Sequence, residues 1–124
     1  MPKRTKRKIT IDDRNFFWYV AEDFEDTAWL GAENTLTIFS EDSLFRVKYP
    51  ISQKQGKNHL VVVGKEFVGD GKFGKTYQRV ESPVWEKGNA ITPGLVREII
   101  EWSLSAKDCK FVDYQGRYIG EVKV

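Results

Sequence analysis

Apolar side chains recur at every second position through most of this chain, and at helical spacing over one stretch near its C-terminal end. Strands bury one face with period 2 and helices with period 3.6, so the pattern alone points to an antiparallel sheet packed on one helix. Lys8-Ile9-Thr10-Ile11 alternates polar and apolar residues, Asp12 to Asn15 supplies turn formers, and Phe16 to Val20 is aromatic and β-branched. Together these predict a hairpin. Leu36 and Ile38 share a face within Thr35 to Phe39, and beyond the polar turn Ser40 to Ser43 the residues Phe45, Val47 and Tyr49 alternate with Arg46 and Lys48. That is a second hairpin with a solvated basic face. Leu60 to Val63, bounded by Gly64, predicts a central strand. It pairs with the alternating segment Lys75 to Val80, which stops near Pro83. Lys110 to Tyr114 and Arg117 to Val124 supply two last strands joined near Gln115-Gly116.

The helix is announced by Ile91-Thr92-Pro93. Thr92 accepts a hydrogen bond from an orphan N–H, and Pro93 takes the first helical position, where its missing donor costs nothing. Leu95, Val96, Ile99, Ile100, Trp102 and Leu104 fall on one broad arc, leaving Arg97, Glu98, Glu101 and Ser105 on a narrow polar strip. Arg97 and Glu101 are spaced to pair, but such a pair is worth only a few tenths of a kcal/mol, so burial of the apolar arc drives the helix. The expected class is therefore α+β, an antiparallel sheet of about seven or eight strands on one main helix of about residues 93–106. A flexible basic tail, 1–8, precedes a single domain, 9–124.

Composition bounds what such a chain does. With 40% hydrophobic residues, 14% aromatic and four prolines among 124 residues, it has enough apolar surface to offset ordering entropy. One cysteine, Cys109, excludes an internal disulfide and favours a reducing, cytoplasmic setting. The basic N-terminus leads into alternating residues rather than an uninterrupted apolar run, so neither a signal peptide nor a membrane span is expected.

Net charge is only +2, but it is unevenly distributed. Residues 1–8 carry Lys3, Arg4, Lys6, Arg7 and Lys8, which leaves the rest of the chain at −3. Residues 9–42 hold nine carboxylates against Arg14, and residues 43–80 hold eight basic side chains against Glu66 and Asp70. Neighbouring blocks of opposite sign are expected to pair across adjacent strands. The alternative is a molecule with one acidic and one basic face.

Gly69 to Thr76 matches both G-x-x-x-x-G-K-[ST] and G-x-G-x-x-G. Phosphate binding by either pattern needs a strand entering the loop and a helix leaving it. Here Tyr77 to Glu81 continues as strand, so a Gly- and Lys-rich hairpin tip accounts for the letters. His59 and Cys109 are too few for a structural zinc site. A lone His before an apolar strand and a thiol without a cationic cluster point to structural residues, and no catalytic residue, metal or cofactor is assigned.

Glu22, Asp23, Glu25 and Asp26 surround Phe24 and precede Trp29, an acidic loop with two large apolar side chains. Its order is not that of a calcium loop, so it suits a solvated loop or a protein-docking surface. Lys3, Arg4, Lys6, Arg7, Lys8, Arg46, Lys48, Lys75 and Arg79 are the candidate nucleic-acid contacts, with bases stacking on aromatics of an open sheet face.

Arg7-Lys8-Ile9-Thr10-Ile11 with Phe17-Trp18-Tyr19-Val20, and Ile91-Thr92-Pro93 with Val96 to Trp102, give the chain a loose likeness to a group of short bacterial proteins. It resembles them in an early Trp-containing hairpin and a late "ITP" helix. The likeness covers the two ends of the chain and implies no activity, cofactor or site residue.

The function expected first is a non-catalytic module that binds another protein or a second copy of itself. Nucleic-acid binding through the tail and the 43–80 basic block comes second. A small-molecule enzyme or carrier with a pocket between helix and sheet comes third. A membrane partner is not expected.

Overall fold

The computed structural model describes residues 6–22, 34–53, 58–63, 66, 78–86, 90–105, 108–112 and 117–123. Among them the strands are β1 (Arg7–Ile11), β2 (Arg14–Ala21), β3 (Asn34–Ser40), β4 (Arg46–Ile51), β5 (His59–Val62), β6 (Gln78–Glu81), β7 (Cys109–Val112) and β8 (Tyr118–Val122). The helix α1 (Pro93–Leu104) lies between β6 and β7. Each strand pairs antiparallel with the next, so one eight-stranded sheet runs in order from β1 to β8. The α+β class expected from periodicity is the one the chain adopts, and β5 is a central strand.

β1 and β2 are joined by a two-residue turn in which Asp12 and Asp13 both have positive φ, 49° and 64°. Two left-handed residues suit the right-handed twist of the flanking strands, and aspartate tolerates that region. The turn is thus two residues long where four were expected. β1 also begins at Arg7, so Arg7 and Lys8 are strand residues opposite Trp18 and Phe17 rather than part of a tail.

One face of the sheet carries the core. Phe16, Trp18, Leu36, Ile38, Val47, Tyr49, Leu60, Val62, Val80 and Phe111 pack with Leu95, Val96, Ile99 and Ile100 of α1. Each fully buried side chain of this size contributes about 1.5–3 kcal/mol, which dominates helix stability. The Thr92 hydroxyl accepts from the Leu95 N–H at 3.2 Å, and Pro93 occupies the first turn. The helix stops at Leu104, two residues earlier than expected, where the Ser105 N–H reaches the Glu101 and Trp102 carbonyls.

Leu95, Val96, Ile99 and Ile100 of the expected arc are buried, but the stripe also includes Ser103, which the sequence pattern assigns to neither face, and leaves Leu104 exposed. At about 100° per residue Ser103 falls mid-stripe and Leu104 at its edge, so position outranks side-chain polarity. The segment 69–76, with its phosphate-loop letters, lies outside the described residues. No helix among the described residues is long and apolar enough to cross a membrane.

Candidate functional site

On the face of the sheet away from α1, cross-strand partners form a ladder. Lys8 lies opposite Phe17, Phe17 opposite Phe39, and Phe39 opposite Arg46. Partners in register share a face, so two rings sit side by side on β2 and β3 with a cation on each flank. The next rung is Tyr19, Thr37 and Lys48. The Phe17 and Phe39 rings stack with centroids 5.7 Å apart and planes at 28°, and Tyr19 meets Phe39 edge-on at 6.5 Å. Lys6 Nζ lies 5.5 Å from the Phe39 centroid and the Arg46 guanidinium 5.8 Å. Lys6, Lys8 and Arg46 are exposed, while the three rings are half-buried.

Ion pairs between described residues join Arg14 to Asp42 and Glu66, Arg97 to Glu101, and Lys123 to Glu121. Lys6, Lys8 and Arg46 are in none of them. Between the two charge blocks the Arg14–Glu66 pair is formed, an arginine of the acidic block with a glutamate of the basic one.

Four carboxylates of the acidic block stand at two hairpin ends. Asp12 and Asp13 form one tip and Glu41 and Asp42 the other, all four exposed. Arg14 bonds both Asp42, at 3.1 Å, and Glu66. Asn15 donates to Glu41 at 2.8 Å. Asp13, Arg14, Asn15, Glu41 and Asp42 line an open cleft of about 290 Å³. The Ser40 hydroxyl and the Leu44 N–H, followed by Arg14, hold the Asp42 carboxyl down at about 2. The Arg14 guanidinium is raised in turn, first by its bond to Glu66. These are internal ties between hairpins. No group of three metal-ligating side chains occurs among the described residues.

At the other end of β4 the Tyr49 ring is fully buried. Its hydroxyl donates to Glu86 Oε1 at 2.9 Å and accepts from Asn58 Nδ2 at 2.8 Å and the Trp85 N–H at 3.4 Å. Burial first, and the Glu86 bond and charge after it, push the phenol above its ordinary value and keep it protonated. Trp85 packs edge-on against both Tyr49, at 5.2 Å, and Trp102, at 5.3 Å. This cluster fastens residues 82–86 and α1 to the sheet.

Of the basic residues named from the sequence, Lys6, Lys8, Arg46 and Lys48 come together on the ladder face. Arg7 is on the other face, over the Trp18 ring at 5.4 Å. Arg79 lies farther along the second rung and is buried. Lys3, Arg4 and Lys75 are outside the described residues. Of the acidic loop only Glu22, exposed after β2, is described, and Asp23, Phe24, Glu25, Asp26 and Trp29 are not. His59 and Cys109 are buried. Phe17, Tyr19 and Phe39 were not singled out from the sequence. The signal was there in period 2, since each neighbours a core residue and so faces away from the core. Comparison of the chain with family models, curated proteins and solved structures found no match.

Proposed function

We propose that the protein binds nucleic acid on the face of β1 to β4 that points away from the helix. The observation that carries this reading is the ladder Lys8, Phe17, Phe39, Arg46, with Lys6 and Arg46 lying over the Phe39 ring. Nucleic acid offers negative phosphates beside flat π-faces, and this surface offers cations beside flat rings. Base–ring stacking is worth about 1–3 kcal/mol per base, and each phosphate neutralised adds a salt-dependent gain from released counterions. The net −3 of the chain beyond residue 8 is no obstacle, because an approaching ligand responds to local potential. Of the described carboxylates of the acidic block, Asp12, Asp13, Asp42 and Glu22 stand at the hairpin ends and after β2, while Glu41 lies on the ladder face one rung beyond Phe39, where Asn15 Nδ2 donates to it at 2.8 Å. Of the protein-docking loop at 22–29 only Glu22 is among the described residues.

The test is fluorescence anisotropy with labelled oligonucleotides over a salt series. Binding tighter than about 10⁻⁴ M at physiological salt is expected, with log K falling as log salt rises by roughly 0.7–0.9 per phosphate neutralised. Lys8→Gln and Arg46→Gln should each flatten that slope by about one phosphate. Absence of binding above that weak limit refutes the reading.

A further inference from the structure

We infer that the ligand of this ladder is an unpaired strand, held by two bases and running across the β-strands from β1 to β4. The inference rests on the nucleic-acid reading and narrows it.

Phe17 and Phe39 occupy partnered positions on adjacent strands, about 4.8 Å apart at the backbone. Lys8 and Arg46 stand one strand farther out on either side, so the ladder spans about 14 Å, three strand spacings. Two rings in the middle of a short span match two bases, with backbone phosphates meeting a cation at each end. A base inside a duplex has both π-faces covered by its stacking neighbours and reaches neither ring. Only a splayed, unpaired base does so.

The path follows from the charges. Along β3, Glu41 and Asp42 follow Ser40 within three residues of Phe39, and along β2 the tip Asp12-Asp13 lies just beyond Arg14. A phosphate backbone running along either strand would pass these carboxylates. One running across the strands meets Lys8 and Arg46 instead, with Lys48 on the neighbouring rung.

Lys6 and Arg46 already cover the Phe39 ring in the free protein. An incoming base takes that place by stacking on the ring, and the displaced cations are left beside its phosphates.

Three labelled probes separate the outcomes, each titrated against the full chain. They are an oligo-dT of about ten nucleotides, a blunt duplex of that length, and the same duplex closed by a thymine loop. The expected order places oligo-dT and the looped hairpin at least about tenfold tighter than the blunt duplex, although the duplex carries more charge. Phe17→Leu and Phe39→Leu keep an apolar side chain on the strand and should each weaken oligo-dT about fivefold or more, leaving the salt slope unchanged. Asp12→Asn with Asp13→Asn should change oligo-dT affinity by less than about twofold, because that tip lies four residues along the strands from Lys8 and Phe17, beyond a Debye length from a crossing strand. Duplex binding equal to or tighter than oligo-dT, insensitive to the phenylalanine changes, overturns the single-strand inference and leaves nucleic-acid binding standing. A large gain from neutralising that tip overturns the path. Failure of all three probes overturns both this inference and the reading beneath it.

Discussion

Tyr49→Phe isolates one hydroxyl at the joint between sheet and helix. The ring stays, so packing against Trp85 is kept, and what is lost is one bond donated to a carboxylate and two accepted, from the Asn58 amide and, at 3.4 Å, from the Trp85 N–H. A hydrogen bond to a charged group is worth about 1.5–3 kcal/mol net and a neutral one about 0.5–1.5. Two of the three partners are not stranded. Asn58 Nδ2 keeps Pro83 O at 2.8 Å and Ser82 Oγ at 3.2 Å, and Glu86, half-exposed, keeps the Ser52 N–H at 3.4 Å. The cost should therefore sit near the lower end of the sum, about 2–3 kcal/mol. Tyr49→Ala adds loss of the buried ring and should cost about 3–5 kcal/mol in all. Urea denaturation followed by tryptophan fluorescence measures both, with the m-value expected to stay constant. The wild type carries a pH signature as well. The phenol's folded value lies above its ordinary 10.0. Its contribution is whole below pH 10 and is lost as pH rises above that, since the unfolded chain then releases the proton more readily. Tyr49→Phe should remove that alkaline loss. A change in stability under about 0.5 kcal/mol, or an alkaline slope untouched by the substitution, refutes the network's role.

Gln78 is 4% exposed on the core face opposite Val62, and among the described residues its Nε2 has no hydrogen-bond partner. Gln78→Met should stabilise the fold by about 1 kcal/mol in the same urea assay, because it removes an unpaid desolvation cost at nearly constant volume. Ile99→Ala, at a fully buried position of α1, should destabilise by about 2–5 kcal/mol; a loss below about 1 kcal/mol would show the helix to be loosely seated. Asp42 should titrate at about 2 in a carboxyl NMR series, against an ordinary 3.8. Its depressed value means its contribution is whole above pH 3.8 and is lost as pH falls through about 2, and Ser40→Ala should move the titration upward.

Periodicity sufficed for the element order, the helix start and the face that meets the core, because each depends on residues a few positions apart. Thr92-Pro93 sets the helix start by local hydrogen bonding, and Phe16 and Trp18 alternate with Phe17 and Tyr19 whatever the partner strand. The site was legible only as a pool of basic residues with unspecified aromatics. Which of them share a ladder depends on register, and register comes from turn length and pairing across the sheet. The four-residue turn expected at 12–15 would set Lys8 opposite Tyr19; the two-residue turn at Asp12-Asp13 sets it opposite Phe17, in line with Phe39 and Arg46. Burial of Arg79 and of Ser103 is likewise tertiary. A side chain's own polarity does not decide its exposure once its neighbours on strand and helix are packed around it.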